Sequence, residues 1–232
     1  VITLITVQNT RKVSRVEVLD PELIAQQITA VLEDIPPLAA KTGALGNREV
    51  VRMIAQMASE FRFPLVVDPV MISKHGTPLL SSDAQQAFRD FLLPHAYLVM
   101  PNLHEAEALT GHIITNVPEM RQAAEQLHSF GARSVLVKGG HLERVAVDVL
   151  LHEGQFYEFS AERIETPHTH GTGCTFSSAI TAELAKGASL PDAVKRAKQF
   201  VTEAIRTNPG LGHGSGPLNH HVASPEGIAT LR

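Results

Sequence analysis

Short apolar, β-branched runs alternate along this chain with stretches of helical period, and no other feature of the sequence restricts the fold as much. Candidate strands are Val1–Val7, Val13–Leu19, Leu38–Thr42, Leu65–Val67, Ala96–Met100, Ser134–Lys138 and Val145–Leu151, followed by Gln155–Ser160. Candidate helices are Pro21–Leu32, Arg48–Glu60, Asp83–Leu92, Leu103–Thr110, Pro118–Phe130, Thr172–Lys186 and Pro191–Arg206. Gly111, Gly131 and Gly187 each stand just past a candidate helix, and Ser189 precedes Leu190-Pro191 as a candidate N-cap. Strands separated by helices return through crossovers, which makes neighbouring strands parallel and places helices on both faces of the sheet. Leu65-Val-Val67 is apolar throughout, as a strand buried on both faces must be. From Val145 to Ser160 two strand patterns flank His152-Glu-Gly154, which predicts an antiparallel hairpin closing one edge of the sheet. The expectation is a doubly wound α/β sandwich, mostly parallel with an antiparallel edge.

At 232 residues the chain can bury a substantial core. Without an internal repeat, linker or low-complexity tract, a single domain over residues 1–232 is expected. The formal net charge of −4 gives no basic footprint for nucleic acid or an anionic membrane. The absence of Trp, with 5% aromatics, weakens any reading based on base stacking. A single cysteine can neither staple the fold nor build a Cys-rich metal cage, and it fits a reducing, cytoplasmic setting. No apolar run reaches the roughly 18 residues of a membrane span. Val1–Val7 opens as a core-strand pattern with neither Met nor a leading loop, so an upstream segment is expected to be missing here.

In open α/β sheets ligands gather beyond the carboxyl ends of the strands. Three polar residues occupy such ends: Asp68 after Leu-Val-Val, Asn102 after Leu-Val-Met-Pro, and Lys138 after Ser-Val-Leu-Val. His168-Thr-His-Gly-Thr-Gly-Cys174 then leads into the helix that Gly187 ends. The first N–H groups of a helix lack internal partners and carry partial positive charge, and glycines let an anion approach them. Gly171, Thr172, Gly173 and Cys174 therefore read as an anion hole or as an ordinary helix start. The stretch is not a Walker A loop, and Phe176 stands where a dinucleotide fingerprint needs its last glycine. Cys174 reads equally as a small buried residue or as a thiol whose pKa falls at a helix N-terminus. His168, His170, His220 and His221 match no zinc spacing and are expected to pack loops or face solvent. Lys195, Arg196 and Lys198 read as a solvated face, from which one lysine could reach a phosphate. Residues 210–221 are loop or lid by composition.

His168-Thr-His-Gly-Thr-Gly-Cys-Thr, together with Val67-Asp-Pro-Val-Met71, Pro101-Asn-Leu-His-Glu-Ala-Glu107 and Val137-Lys-Gly-Gly-His141, resembles the hydroxymethylpyrimidine/phosphomethylpyrimidine kinases of thiamin biosynthesis. Thr6-Val-Gln-Asn-Thr10, Lys41-Thr-Gly-Ala-Leu-Gly-Asn47 and Gly212-His-Gly-Ser-Gly-Pro-Leu-Asn-His220 extend the resemblance along essentially the whole chain. It implies a ribokinase-like three-layer α/β/α sandwich that transfers the γ-phosphoryl of ATP, with Mg²⁺, to the pyrimidine's hydroxymethyl group and then to the monophosphate. It further implies that Gly171, Thr172 and Gly173 form the anion hole, with Cys174 in the position of the general base. Asn102 and Glu105 match the element that organises Mg²⁺ and phosphates. Asp68 matches an acidic position near the metal, and Lys138 a residue near the ATP phosphates. Gln8 matches a glutamine that hydrogen-bonds the pyrimidine, and Val70 lines that pocket. Ala44 stands where the family often has Met, which implies a roomier pocket. A homodimer is the family expectation.

The family's leading strand and Gly-Ser-Asp-Ser-Gly-Gly-Gly-Ala-Gly-like segment have no counterpart here. Two alternatives follow: a pyridoxal kinase-like specificity, consistent with Ala44, and a non-catalytic ligand-binding relative, consistent with the absent head.

Overall fold

A computed structural model describes residues 1–73, 76–140 and 146–222. His141 of the Lys-Gly-Gly-His motif and Val145 of the predicted hairpin lie outside the described residues. The main sheet has six strands in sequential order: β3 (Ala40–Thr42), β4 (Leu65–Val67), β5 (Leu98–Val99), β6 (Val135–Gly139), β7 (Ala146–His152) and β8 (Gln155–Ala161). β3 to β6 are parallel; β7 and β8 return antiparallel and place β8 at one edge, as the hairpin pattern predicts.

Side-chain alternation along these strands divides the core in two. Leu65, Val67, Val99, Val135 and Val137 face one layer, where α1 (Pro21–Asp34), α2 (Arg48–Ala58), α3 (Ser82–Ala87, continued by a π-helical turn over Phe88–Leu92), α4 (Leu103–Thr110) and α5 (Val117–Ser129) pack. Val66, Leu98, Leu136 and Leu150 face the other, beneath α6 (Thr172–Ala185) and α7 (Leu190–Arg206). Val66, Val67, Leu98, Val99, Val135, Leu136 and Val137 are all fully buried. Each such side chain contributes roughly 1.5–3 kcal/mol relative to exposure. The period of two thus distributes apolar side chains to both faces, and the crossovers must cover both.

The opening strand departs from expectation. Among the described residues, β1 (Leu4–Gln8) pairs only with β2 (Val13–Val18), antiparallel, in a separate two-stranded sheet. Val1–Val7 is therefore not a core strand: Ile5 and Val7 are more than half exposed at 53% and 56%. The β-branched pattern specified a strand without specifying its partner, and the nearest complementary strand lies one tight turn away. Asn9 closes that turn, its Oδ1 accepting the N–H groups of Arg11 and Lys12.

Candidate active site

At the carboxyl end of β4, Asp68 continues the ladder through its N–H to the Thr42 carbonyl and is 2% exposed. Two strands away, Lys138 rises from β6, its N–H donating to the Pro101 carbonyl. The Lys138 ammonium donates to Asp68 Oδ1 at 2.9 Å. Between them Asn102 caps α4: its Oδ1 accepts the Glu105 N–H, and Glu105 Oε2 accepts the Asn102 N–H. This reciprocal cap satisfies two N–H groups and aligns a buried carboxyl with the strand ends. The three strand-end residues and Glu105 are thereby brought to one side of the sheet.

The helix that faces them is α6. Gly171, at φ +82°, is its N-cap and supplies no side-chain cap. Among the described residues, the N–H groups of Gly173 and Cys174 meet no protein acceptor. They are two donors at the helix start beside the cluster. A Cβ built on Gly173 would lie 3.5 Å from the Lys138 ammonium, so backbone and cation face each other across a gap the glycine leaves clear. Gly171 and Cys174 also open onto a groove of about 550 Å³ that follows α6 and α7 past Ala179, Lys186, Phe200 and His220.

Two residues absent from the sequence-derived set complete the cluster. Ser177 is fully buried one turn after Cys174, within reach of Asp68 Oδ2 at 3.2 Å and the Cys174 carbonyl at 3.0 Å. Lys41, half-buried on β3, donates to Ser177 Oγ at 3.3 Å. Helical spacing from Cys174 was a signal for Ser177. A lysine near the end of an otherwise apolar strand was the signal for Lys41.

The charges act on one another. Burial would lower the Lys138 ammonium, but the Asp68 and Glu105 carboxyls outweigh it and raise its pKa. Burial pushes the Glu105 carboxyl up; Lys138 opposes this and Asp68 adds to it. Cys174 is exposed on the pocket side, yet crowding by protein on its other sides is the largest influence and raises the thiol above its ordinary range. Asp68 adds to that rise, against Lys41 and Lys138. Of the two readings of Cys174, the lowered thiol does not hold: burial and Asp68 outweigh Lys41 and Lys138. The thiol is neutral at pH 7.

The remaining predicted residues separate into two groups. Val70 follows Asp68 directly, its N–H donating to the Asp68 carbonyl, and Ala44 lies just beyond β3, its carbonyl accepting from Thr3 Oγ1. Gln8 is exposed at the far end of β1, and none of its described contacts joins it to the cluster. The turn after it docks on the tail, with Thr10 meeting His213 and Ser215. His168 packs that tail, its Nδ1 accepting the Gly216 N–H, in keeping with a loop-packing role. Among the described residues, no group of three or more His, Cys, Asp and Glu converges on a cation site. Lys198 corrects the expectation of a solvated basic face: Asp148 holds its ammonium at 2.7 Å, and the side chain is 12% exposed.

Residues 1–219 match the family model described as phosphomethylpyrimidine kinase. The chain is 46% identical over 228 residues to the thiamine biosynthesis bifunctional protein ThiED of Geobacter sulfurreducens; the match covers 97% of this chain and 46% of that protein, so the chain spans about half its length. It is 42% identical to the hydroxymethylpyrimidine/phosphomethylpyrimidine kinase of Bacillus subtilis, covering 100% of this chain and 86% of that one. Among solved structures, an ADP complex of Bacillus subtilis pyridoxal kinase superposes with a TM-score of 0.86 at 37% identity, covering 94% of this chain and 84% of that one. Phosphomethylpyrimidine kinase from Clostridium difficile superposes with a TM-score of 0.77 at 43% identity, covering 88% and 84%. With that match over nearly its whole length, and a sheet and strand-end cluster of the kind described, the chain belongs to the phosphomethylpyrimidine kinase family.

Proposed function

We propose that this chain is an ATP-dependent kinase of thiamine biosynthesis that phosphorylates hydroxymethylpyrimidine and then the resulting monophosphate. The observation that carries this reading is the pair of acceptor-free N–H groups at Gly173 and Cys174, set against the Lys138 ammonium and its buried partner Asp68. Phosphoryl transfer asks a protein for positioning and charge stabilisation more than for covalent help, and these groups offer both. The γ-phosphoryl lies against the two N–H groups and Lys138, where stabilisation is strongest as charge moves to its equatorial oxygens. Gly171 and Thr172 complete the turn that presents them. The groove along α6 and α7 takes the rest of the nucleotide.

In the first turnover the hydroxymethyl oxygen attacks the γ-phosphorus, the bond to the bridging oxygen breaks, and ADP leaves with the electron pair. The alcohol proton must then depart. Cys174 stands at that position with a raised pKa, which suits a late proton transfer in a loose transition state. Asp68 and Glu105 are hard oxygen donors with lone pairs to spare, and the raised Glu105 carboxyl marks a buried acid short of positive charge. Together they would hold Mg²⁺, whose chemistry is to neutralise phosphate charge; Asn102 orients Glu105 for it. Val70 and Ala44 border the acceptor side, and Gln8 would reach the pyrimidine only from the hairpin. We further propose one kinase domain over residues 1–232, in the cytoplasm, acting as a homodimer. The exposed apolar face of β1 supports the dimer. No helix among the described residues is long and apolar enough to cross a membrane.

Pyridoxal is a second acceptor favoured by one observation, the small Ala44 where a bulkier side chain would narrow the pocket. An ATP-consumption assay with both acceptors decides: turnover of the pyrimidine and its monophosphate is expected, and turnover of pyridoxal alone overturns the reading. If Cys174 takes the proton, the first turnover climbs with pH on an alkaline limb beyond the ordinary thiol range, and Cys174→Ser lacks that limb while ATP still binds. A limb that persists in the variant removes Cys174 from the proton transfer.

A further inference from the structure

Two ammonium groups approach one buried carboxylate, and only one of them is paired with it. Lys138, from β6, donates directly to Asp68 Oδ1 at 2.9 Å. Lys41, from β3, reaches the same carboxylate only through Ser177, whose Oγ is 3.3 Å from the Lys41 ammonium and 3.2 Å from Asp68 Oδ2. Among the described residues, no carboxylate lies within ion-pairing distance of Lys41. A half-buried lysine whose described partner is one neutral hydroxyl keeps N–H donors and a full charge for an arriving anion.

The two lysines also border different ground. The Lys138 ammonium lies opposite Gly173, at the open helix start assigned above to the γ-phosphoryl. The Lys41 ammonium lies 3.7 Å from where a Cβ on Gly43 would stand, next to Ala44 on the acceptor side. β4 and β5 separate the strands that carry them. Resting on the kinase reading above, we propose that Lys41 binds the phosphate of the acceptor monophosphate and is the residue that equips this site for the second phosphorylation.

The chemistry separates the two turnovers. In the first, the acceptor is a neutral alcohol. In the second, an oxygen of a phosphate monoester attacks the γ-phosphorus, the bond from γ-phosphorus to the bridging oxygen breaks, ADP leaves with the electron pair, and a new P–O–P linkage forms. The attacking dianion carries no proton to remove, but it must approach another polyanion. Like charges at contact distance repel strongly in a site shielded from water, and Lys138 is assigned above to the γ-phosphoryl. A second cation on the acceptor side offsets that repulsion and is needed far less by the alcohol. Cys174 has the opposite pattern: a proton to take in the first turnover and none in the second.

The test is a comparison of two acceptors with saturating ATP and Mg²⁺, using wild type, Lys41→Met, Lys41→Arg and Cys174→Ser. Lys41→Met is expected to lower kcat/KM for the monophosphate about 30-fold, chiefly through KM, the size of one lost charge-assisted hydrogen bond. For hydroxymethylpyrimidine the loss is about threefold or less, on the same scale. Lys41→Arg restores most of the monophosphate activity, and Cys174→Ser shows the reverse selectivity. Thermal melts check that each variant folds; where Lys41→Met does not fold, Lys41→Gln takes its place with the same expected selective loss on the monophosphate. Equal losses on both acceptors, or no loss on either, overturn the role given to Lys41. A wild type active on the alcohol but not on the monophosphate overturns it together with the second phosphorylation, while the first phosphorylation stands; a wild type inactive on both overturns the whole kinase reading.

Discussion

At the scale of single residues, two glycines two positions apart do different work. Gly171 is required by its backbone: at φ +82° any side chain is strained, although nothing crowds the space around it. Gly173 has no such need. An alanine there meets the Lys138 ammonium at an ordinary 3.5 Å and improves helix propensity by about 0.5–1 kcal/mol. Its methyl would nevertheless fill the gap in which the phosphoryl group is proposed to sit. Gly173→Ala is therefore expected to melt at or above the wild-type temperature while phosphoryl transfer falls at least about tenfold. An active Gly173→Ala enzyme would move the phosphoryl site elsewhere. Asp68, Asn102 and Lys138 were legible as strand-end residues because polar side chains rarely follow apolar runs at the same end of three strands without a purpose, whereas Glu105 came only with the family resemblance. Lys41 and Ser177 carried only faint signals, because each takes its meaning from the partner it touches.

At the scale of elements, α6 and α7 are locked by charge as well as by apolar contact. Glu183 of α6 receives Lys186 at 2.7 Å and Arg196 of α7 at 3.1 Å. Burial would raise its carboxyl, but the two cations outweigh burial and lower it. A lowered carboxyl contributes stability that is fully present above its unfolded value of 4.5 and is lost as the pH falls through its folded value. Glu183→Gln is thus expected to destabilise the chain at pH 7 and to approach wild type in acid below that range, read from denaturant midpoints at the two pH values. An equal effect at both would assign Glu183 to packing alone. Lys198 shows why such pairs escape a linear reading. Three basic residues on one helix resemble a solvated face, yet β7 brings Asp148 beneath one of them, and Asp148 also accepts the Gly139 N–H beside Lys138.

At the scale of the whole molecule, the small β1–β2 sheet stands apart from the main one and leaves Ile5 and Val7 open on one face. In a homodimer that covers this face, Ile5→Asp is expected to shift the chain to monomer in sedimentation. An unchanged mass for the variant would place the interface elsewhere. The helices and strands of this molecule were fixed by local pattern: periods of two and 3.6, caps such as Asn102 and Ser189, and glycines past the helix ends all act within a few residues. Motif order along the chain likewise carried the family. Only the tertiary structure decided which strand β1 pairs with, that the Cys174 thiol is raised rather than lowered, and that Lys41 faces Ser177. Pairing, desolvation and charge all depend on distances between residues far apart in sequence, and the order of residues alone does not state a distance.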